Sequence, residues 1–111
     1  MARKFETIQQ VVDSMQKSFR VEKAEGVTAT IQLEYTGDAG GYWWLDIQDQ
    51  TLRVTPGETM NPTLTMTVAA EDWLALVNGE ANPMTLLMTR KLKFSGSMPM
   101  AMKFAGLFGL A

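Results

Sequence analysis

The side chains that could do polar chemistry in this chain form a short inventory. It carries twelve Asp or Glu and ten Lys or Arg in 111 residues, with no His and no Cys. Disulfides, thiolate nucleophiles, tetrahedral zinc sites and imidazole general bases are therefore excluded. Asp46 and Asp49 fall in a hairpin, and Glu71 and Asp72 stand where a helix starts, so solubility and the helix dipole account for them. No pair of carboxylates is set out as acid and base, and no Lys or Tyr is distinguished from the rest. Catalysis is the weakest of three readings: the chain reads as no enzyme, with neither cofactor nor metal.

The apolar side chains say more. Residues 1–80 hold six basic and all twelve acidic side chains, whereas 81–111 hold Arg90, Lys91, Lys93 and Lys103 with no acid. The same basic tail contains Met84, Met88, Met98, Met100 and Met102, five of the nine methionines, beside Phe94, Phe104 and Phe108. With a net charge of -2 and no Lys/Arg-rich run, nucleic acid is not an expected partner. Methionine packs adaptably and specifies shape poorly, so its concentration here suits a cavity that admits several guests.

The length fits one domain, 1–111, and the apolar fraction of 46% suffices for a core. Phe5, Ile8, Val12, Met15 and Phe19 recur at spacings of three and four, predicting an amphipathic helix from about residue 4 to residue 22. From Val27 to Tyr35 the period becomes two, a strand with one wet face, and Gly37-Asp38-Ala39-Gly40-Gly41 turns it into an antiparallel partner, Tyr42 to Gln48. Trp43, Leu45 and Ile47 share one face of that partner, and Tyr42, Trp44, Asp46 and Gln48 the other. Asp49-Gln50 reverses into Thr51 to Thr55, and Thr63 to Val68 alternates without a fault.

Ala70 begins a helix with Glu71 and Asp72 in its first turn and Gly79 as its stop. Asn82-Pro83 caps a second short helix to about Arg90, and Leu92 with Phe94 makes a fifth strand, whose lysines suit a sheet edge and which stops at Gly96. Ser97 and Pro99 open a last helix containing Met98, Met100, Met102, Phe104, Ala105, Leu107, Phe108 and Leu110, apolar nearly all round. One sheet cannot cover such a helix on every side. The order of elements implies α+β architecture with helices on one face of the sheet.

In these residues the chain resembles the sterol carrier protein type 2 family, the nonspecific lipid-transfer domains. The resemblance is carried by Trp43 to Asp49 with Leu52 and Val54, by Pro62 to Val68 running into Ala70-Glu71-Asp72-Trp73, and by Leu76-Val77-Asn78-Gly79 with Asn82-Pro83. Lys91-Leu92-Lys93-Phe94-Ser95-Gly96-Ser97-Met98 completes it. It covers nearly the whole chain, and Asp49-Gln50 stands where many relatives carry glycine. The resemblance implies a five-stranded, mainly antiparallel sheet with helices packed on one face enclosing an apolar tunnel. It also implies noncatalytic binding and transfer of lipids: fatty acyl chains, sterol-like or other hydrophobic ligands. No catalytic residue is inherited.

The expected ligand-binding wall is Leu87, Met88, Phe94, Met98, Met102, Phe104, Leu107 and Phe108, facing Ile31, Leu33, Leu64 and Met66 of the sheet. A flexible solid core is the plainer reading of any one methionine. Trp43 and Trp73 read as core residues. Trp44 marks a contact surface if its face is the outer one. Arg90, Lys91, Lys93 and Lys103 form a solvated face or, more sharply, bring the tunnel mouth into transient contact with a membrane of anionic lipid. The alternative is a protein–protein interaction or dimerisation module, a homodimer included, that uses the apolar C-terminal helix. The opening Met-Ala-Arg-Lys-Phe-Glu lacks an apolar h-region, the stretch from Met98 to Ala111 is too short to span a bilayer, and the final residues lack a Ser-Lys-Leu address. The expected location is cytoplasmic.

Overall fold

A computed structural model describes residues 4–108. Thr7 starts the first helix, α1 (Ile8–Ser18): its side chain accepts from the Gln10 backbone N–H while the Gln10 side chain reaches back to the cap. Ile8, Val11, Val12 and Met15 of α1 are buried. The helix is shorter than its apolar spacing predicted. Phe5 precedes the capping box, and Phe19 is the extended C-cap, after which the chain makes a 3-10 turn at Val21–Ala24. Both rings still pack on the core from outside the helix.

Five strands follow the predicted order: β1 (Ala29–Thr36), β2 (Gly41–Gln48), β3 (Thr51–Pro56), β4 (Leu64–Ala69) and, after two helices, β5 (Leu92–Gly96). They form one sheet in the order β3-β2-β1-β4-β5, in which only the central β1 and β4 run parallel. Asp49 and Gln50 both take positive φ, 50° and 57°, so β2 and β3 join through a two-residue turn of the I′ kind despite lacking glycine. Gly40 is required for another reason: a Cβ there would strike the Tyr35 carbonyl.

Period-two alternation puts one face of the sheet into the core. Across it, Val54, Leu45, Ile31 and Leu64 line up as one row, and Trp43, Leu33, Met66 and Phe94 as the next. The helices α1, α2 (Ala70–Val77), α3 (Pro83–Met88) and α4 (Met98–Leu107) supply the other side of that core. The opposite face carries Tyr42, Trp44, Asp46, Thr65, Thr67 and Lys93. Trp44 lies half-buried there, beside Gln32 and Thr55 of neighbouring strands, and Tyr42 is exposed. Gln32 is buried on this face because its amide donates to the Trp43 and Gly57 carbonyls (3.0 and 3.1 Å) and accepts from the Thr59 N–H (2.8 Å). Lys91 and Lys93 flank and occupy the edge strand β5, exposed, as their charge requires. Among the described residues no helix is long and apolar enough to cross a membrane.

Candidate functional site

The site is built around α4. Ser97 caps this helix, its hydroxyl accepting from the Met100 N–H at 3.2 Å, and the Ser97 N–H donates to the Thr63 carbonyl at 3.0 Å. At the other end the Arg20 N–H donates to the Leu107 carbonyl at 2.7 Å. The helix is thus tied at its start to the residue just before β4 and at its finish to the segment after α1. Its middle turns must bridge whatever lies beneath.

Beneath it the packing is incomplete. A cleft of about 450 Å³ runs between α2, α3, β5 and α4. Trp73 and Leu76 of α2, Pro83 and Leu87 of α3, and Leu92 and Phe94 of β5 form its floor and one wall. Met98, Ala101, Met102, Phe104 and Ala105 of α4 form the other, so no described lining residue is titratable. The room comes from Ala101 and Ala105, four residues apart and therefore stacked on the same face of the helix. The rim is open: Leu87 is 39% exposed, Met98 51% and Met102 83%.

A second cleft, of about 700 Å³, lies on the other side of the same helix. Phe5, Val11, Met15, Val77 and Phe108 give it apolar walls, whereas Lys4, Ser14, Lys17 and Ser18 give it a polar mouth. Asn78, the C-cap of α2, holds Phe5 in place: it accepts from the Phe5 N–H at 2.9 Å and donates to the Phe5 carbonyl at 2.8 Å. Trp73 and Phe104 line both clefts.

An aromatic chain connects the two sides. Trp43, Tyr35, Trp73 and Phe104 follow one another at ring separations of 5.9, 6.1 and 6.4 Å, and Phe104 also meets Phe94 at 6.3 Å and Phe108 at 5.3 Å. Within it, the Tyr35 hydroxyl and the Trp73 indole N–H are buried without a hydrogen-bond partner among the described residues. Burial pushes the Tyr35 pKa upward, because an ionised phenolate would be stranded in an apolar interior.

The wall expected from the sequence divides four ways. Leu87, Phe94, Met98, Met102 and Phe104 come together around the smaller cleft, and Phe108, with Phe104 again, borders the larger one. Leu107 is buried in the core and Met88 stands in solvent, and neither lines a cleft. Ile31, Leu33, Leu64 and Met66 are wholly buried in the sheet's inner face and border neither space, because helical side chains already cover them. The last helix is not buried all round, since Met98 and Met102 reach solvent. Leu110, placed in that helix by its pattern, lies outside the described residues.

Sequence reasoning missed Trp73 as a cleft residue, as well as Ala101 and Ala105. Their signal was present: Trp73 and Leu76 share a face of α2, and two alanines at helical spacing sit among large side chains.

This architecture and this sequence match known proteins over most of this chain. Residues 5–109 match the SCP-2 sterol transfer family. Sterol carrier protein 2 of Bos taurus is 31% identical over 103 residues, 93% of this chain and 19% of that protein. Hydroxysteroid dehydrogenase-like protein 2 of Rattus norvegicus is 28% identical over 100 residues, covering 89% of this chain and 19% of the relative. The chain therefore spans about a fifth of the length of these curated relatives. The solution structure of palmitated SCP2L2 from Aedes aegypti superposes with a TM-score of 0.73 at 26% identity, covering 93% of this chain and 95% of that one. The chain belongs to the SCP-2 sterol transfer family.

Proposed function

We propose that this domain binds and transfers lipids without catalysis, receiving a fatty acyl or sterol-like guest in the clefts beneath α4. The observation that carries this reading is the smaller cleft: an open space whose described walls are all apolar, at the place where the chain concentrates its softest side chains. Its volume falls within the range of small-molecule sites. Each buried methylene is stabilised by about 0.8 kcal/mol whether the sink is a bilayer or a protein, so exchange between the two is close to balanced per carbon. A carrier then needs adaptable walls more than strong polar contacts, and Met98 and Met102 supply such walls. A cleft without a titratable lining side chain offers a bound lipid no acid or base.

Release is served by the surroundings of the mouth. Met84, Met88, Met98 and Met102 are exposed, and Arg90, Lys91 and Lys103, close to them in sequence, are exposed as well, a combination suited to brief contact with an anionic lipid surface, whereas Lys93 faces the other side of the sheet. The test is direct. Mass spectrometry of lipid extracted from purified protein, followed by titration with a fluorescent fatty acid, should reveal bound or acquired lipid. Protein that carries none and takes up none refutes the proposal, and self-association through α4 in that protein would favour the interaction-module reading instead.

A further inference from the structure

Trp73 and Phe104 are the two residues common to both cleft linings. They stand side by side, 6.4 Å between ring centres, and are 3% and 2% exposed. What separates the two spaces is thus a pair of side chains. Neither ring is held by a hydrogen bond, since Phe104 has no polar atom and the Trp73 indole N–H has no acceptor among the described residues. Packing alone fixes them, and Phe94, which also touches Phe104, is only half-buried. By contrast, α4 is tied by backbone hydrogen bonds at both ends, to Thr63 and from Arg20. The element free to yield is the ring.

The two spaces also differ in polarity. Lys4 and Lys17 line the larger cleft, while the smaller one has no charged lining residue. From this we infer that the clefts are halves of one bipartite site for a single-chain anionic amphiphile, with Phe104 against Trp73 as the partition. The head lies at the lysines of the larger half. A short tail stops at Phe104, and a long one displaces that ring and enters the smaller half. Phe104 thereby sets chain-length preference. This inference rests on the lipid-binding reading above and adds a ligand orientation and a length selector to it.

The experiment measures uptake of short, medium and long straight-chain carboxylic acids, and of primary alcohols of the same lengths, by the wild-type chain and by Phe104→Leu, Phe104→Ala and Phe104→Trp. Displacing the ring parts it from Trp73 while its contacts with Phe94 and Phe108 are exchanged for contacts with the tail, a net loss of about one aromatic pair, so the shortened variants should raise the long-to-short affinity ratio about tenfold and Phe104→Trp should lower it. A ratio taken within one variant is unaffected by a general loss of stability, and Phe104→Leu serves if Phe104→Ala unfolds. Acids should bind more tightly than the matching alcohols, and Lys17→Gln should narrow that gap. An unchanged ratio in all variants, or two long chains bound per protein, overturns the partition while leaving lipid binding intact. Equal affinity for acids and alcohols overturns the assigned head position. No uptake of any chain by the wild-type protein overturns both this inference and the reading beneath it.

Discussion

On the proposed lipid-binding reading, filling the smaller cleft should stabilise the protein and weaken its hold on a long-chain guest at the same time. Ala105 lies half-buried in the α4 wall, and Ala105→Leu adds three carbons directed into that space. At about 0.8 kcal/mol per buried carbon the gain is about 2.4 kcal/mol. Rotamer entropy of the new leucine removes roughly 0.5–1 kcal/mol, and its helix propensity is slightly below that of alanine. About 1.5 kcal/mol remains, which for a domain of this size corresponds to a rise in Tm of roughly 6–12 °C. The same three carbons displace three carbons of the guest, a loss of about 2.4 kcal/mol or about 50-fold in affinity. Calorimetric unfolding and titration with a fluorescent fatty acid measure the two effects on one sample. A higher Tm with unchanged uptake would show that the guest does not use this cleft, and a lower Tm would show that the space is not there to be filled.

Three other perturbations test separate parts of the structure. Replacing exposed Lys91 and Lys103 together by Gln should weaken binding to anionic vesicles by about 2 kcal/mol, about 30-fold, and leave binding to zwitterionic vesicles unchanged; cosedimentation at low salt distinguishes these outcomes. Tyr35→Phe removes a buried hydroxyl that lacks a described partner and should stabilise the fold by about 1 kcal/mol. Since burial raises the Tyr35 pKa, the native state keeps its proton where the unfolded chain loses it, so wild-type stability falls as pH rises above about 10 and the variant should lack that component in denaturant titrations. Gly96→Ala places a Cβ 2.5 Å from the Thr63 carbonyl oxygen at a φ of +108°, and should cost about 3 kcal/mol with a fall in Tm of at least about 10 °C.

Much of the fold was legible because its elements follow strict periods. The alternation of Thr63 to Val68, the Asn82-Pro83 start and the Gly79 and Gly96 stops each name one local conformation, and each is found within a residue or two of its expected place. The first helix was less legible, since Phe5 and Phe19 fit the helical spacing by distance alone. The capping box at Thr7 and the extended backbone at Phe19 decide its ends. The turn at Asp49-Gln50 shows the opposite balance: neither residue favours positive φ as glycine does, yet the registers on both sides leave two residues to reverse the chain.

The candidate cleft was legible in kind and only partly in place. Composition identified the region, since Met98, Met102 and Phe104 do gather at a cleft, but it cannot distinguish a large side chain that borders a space from one that fills it. Ile31 and Met66 are as apolar as Phe104, yet sheet pairing on both sides and helices above leave them wholly buried. A space arises from what is missing, and here that is side-chain volume at Ala101 and Ala105, on a helix whose ends are fastened and so cannot settle onto the sheet. Packing usually closes such gaps, because a void forfeits contacts along its whole lining. An open apolar cleft is therefore expensive to keep unless a guest restores those contacts, and exposed methionines at its rim can do so for guests of more than one shape.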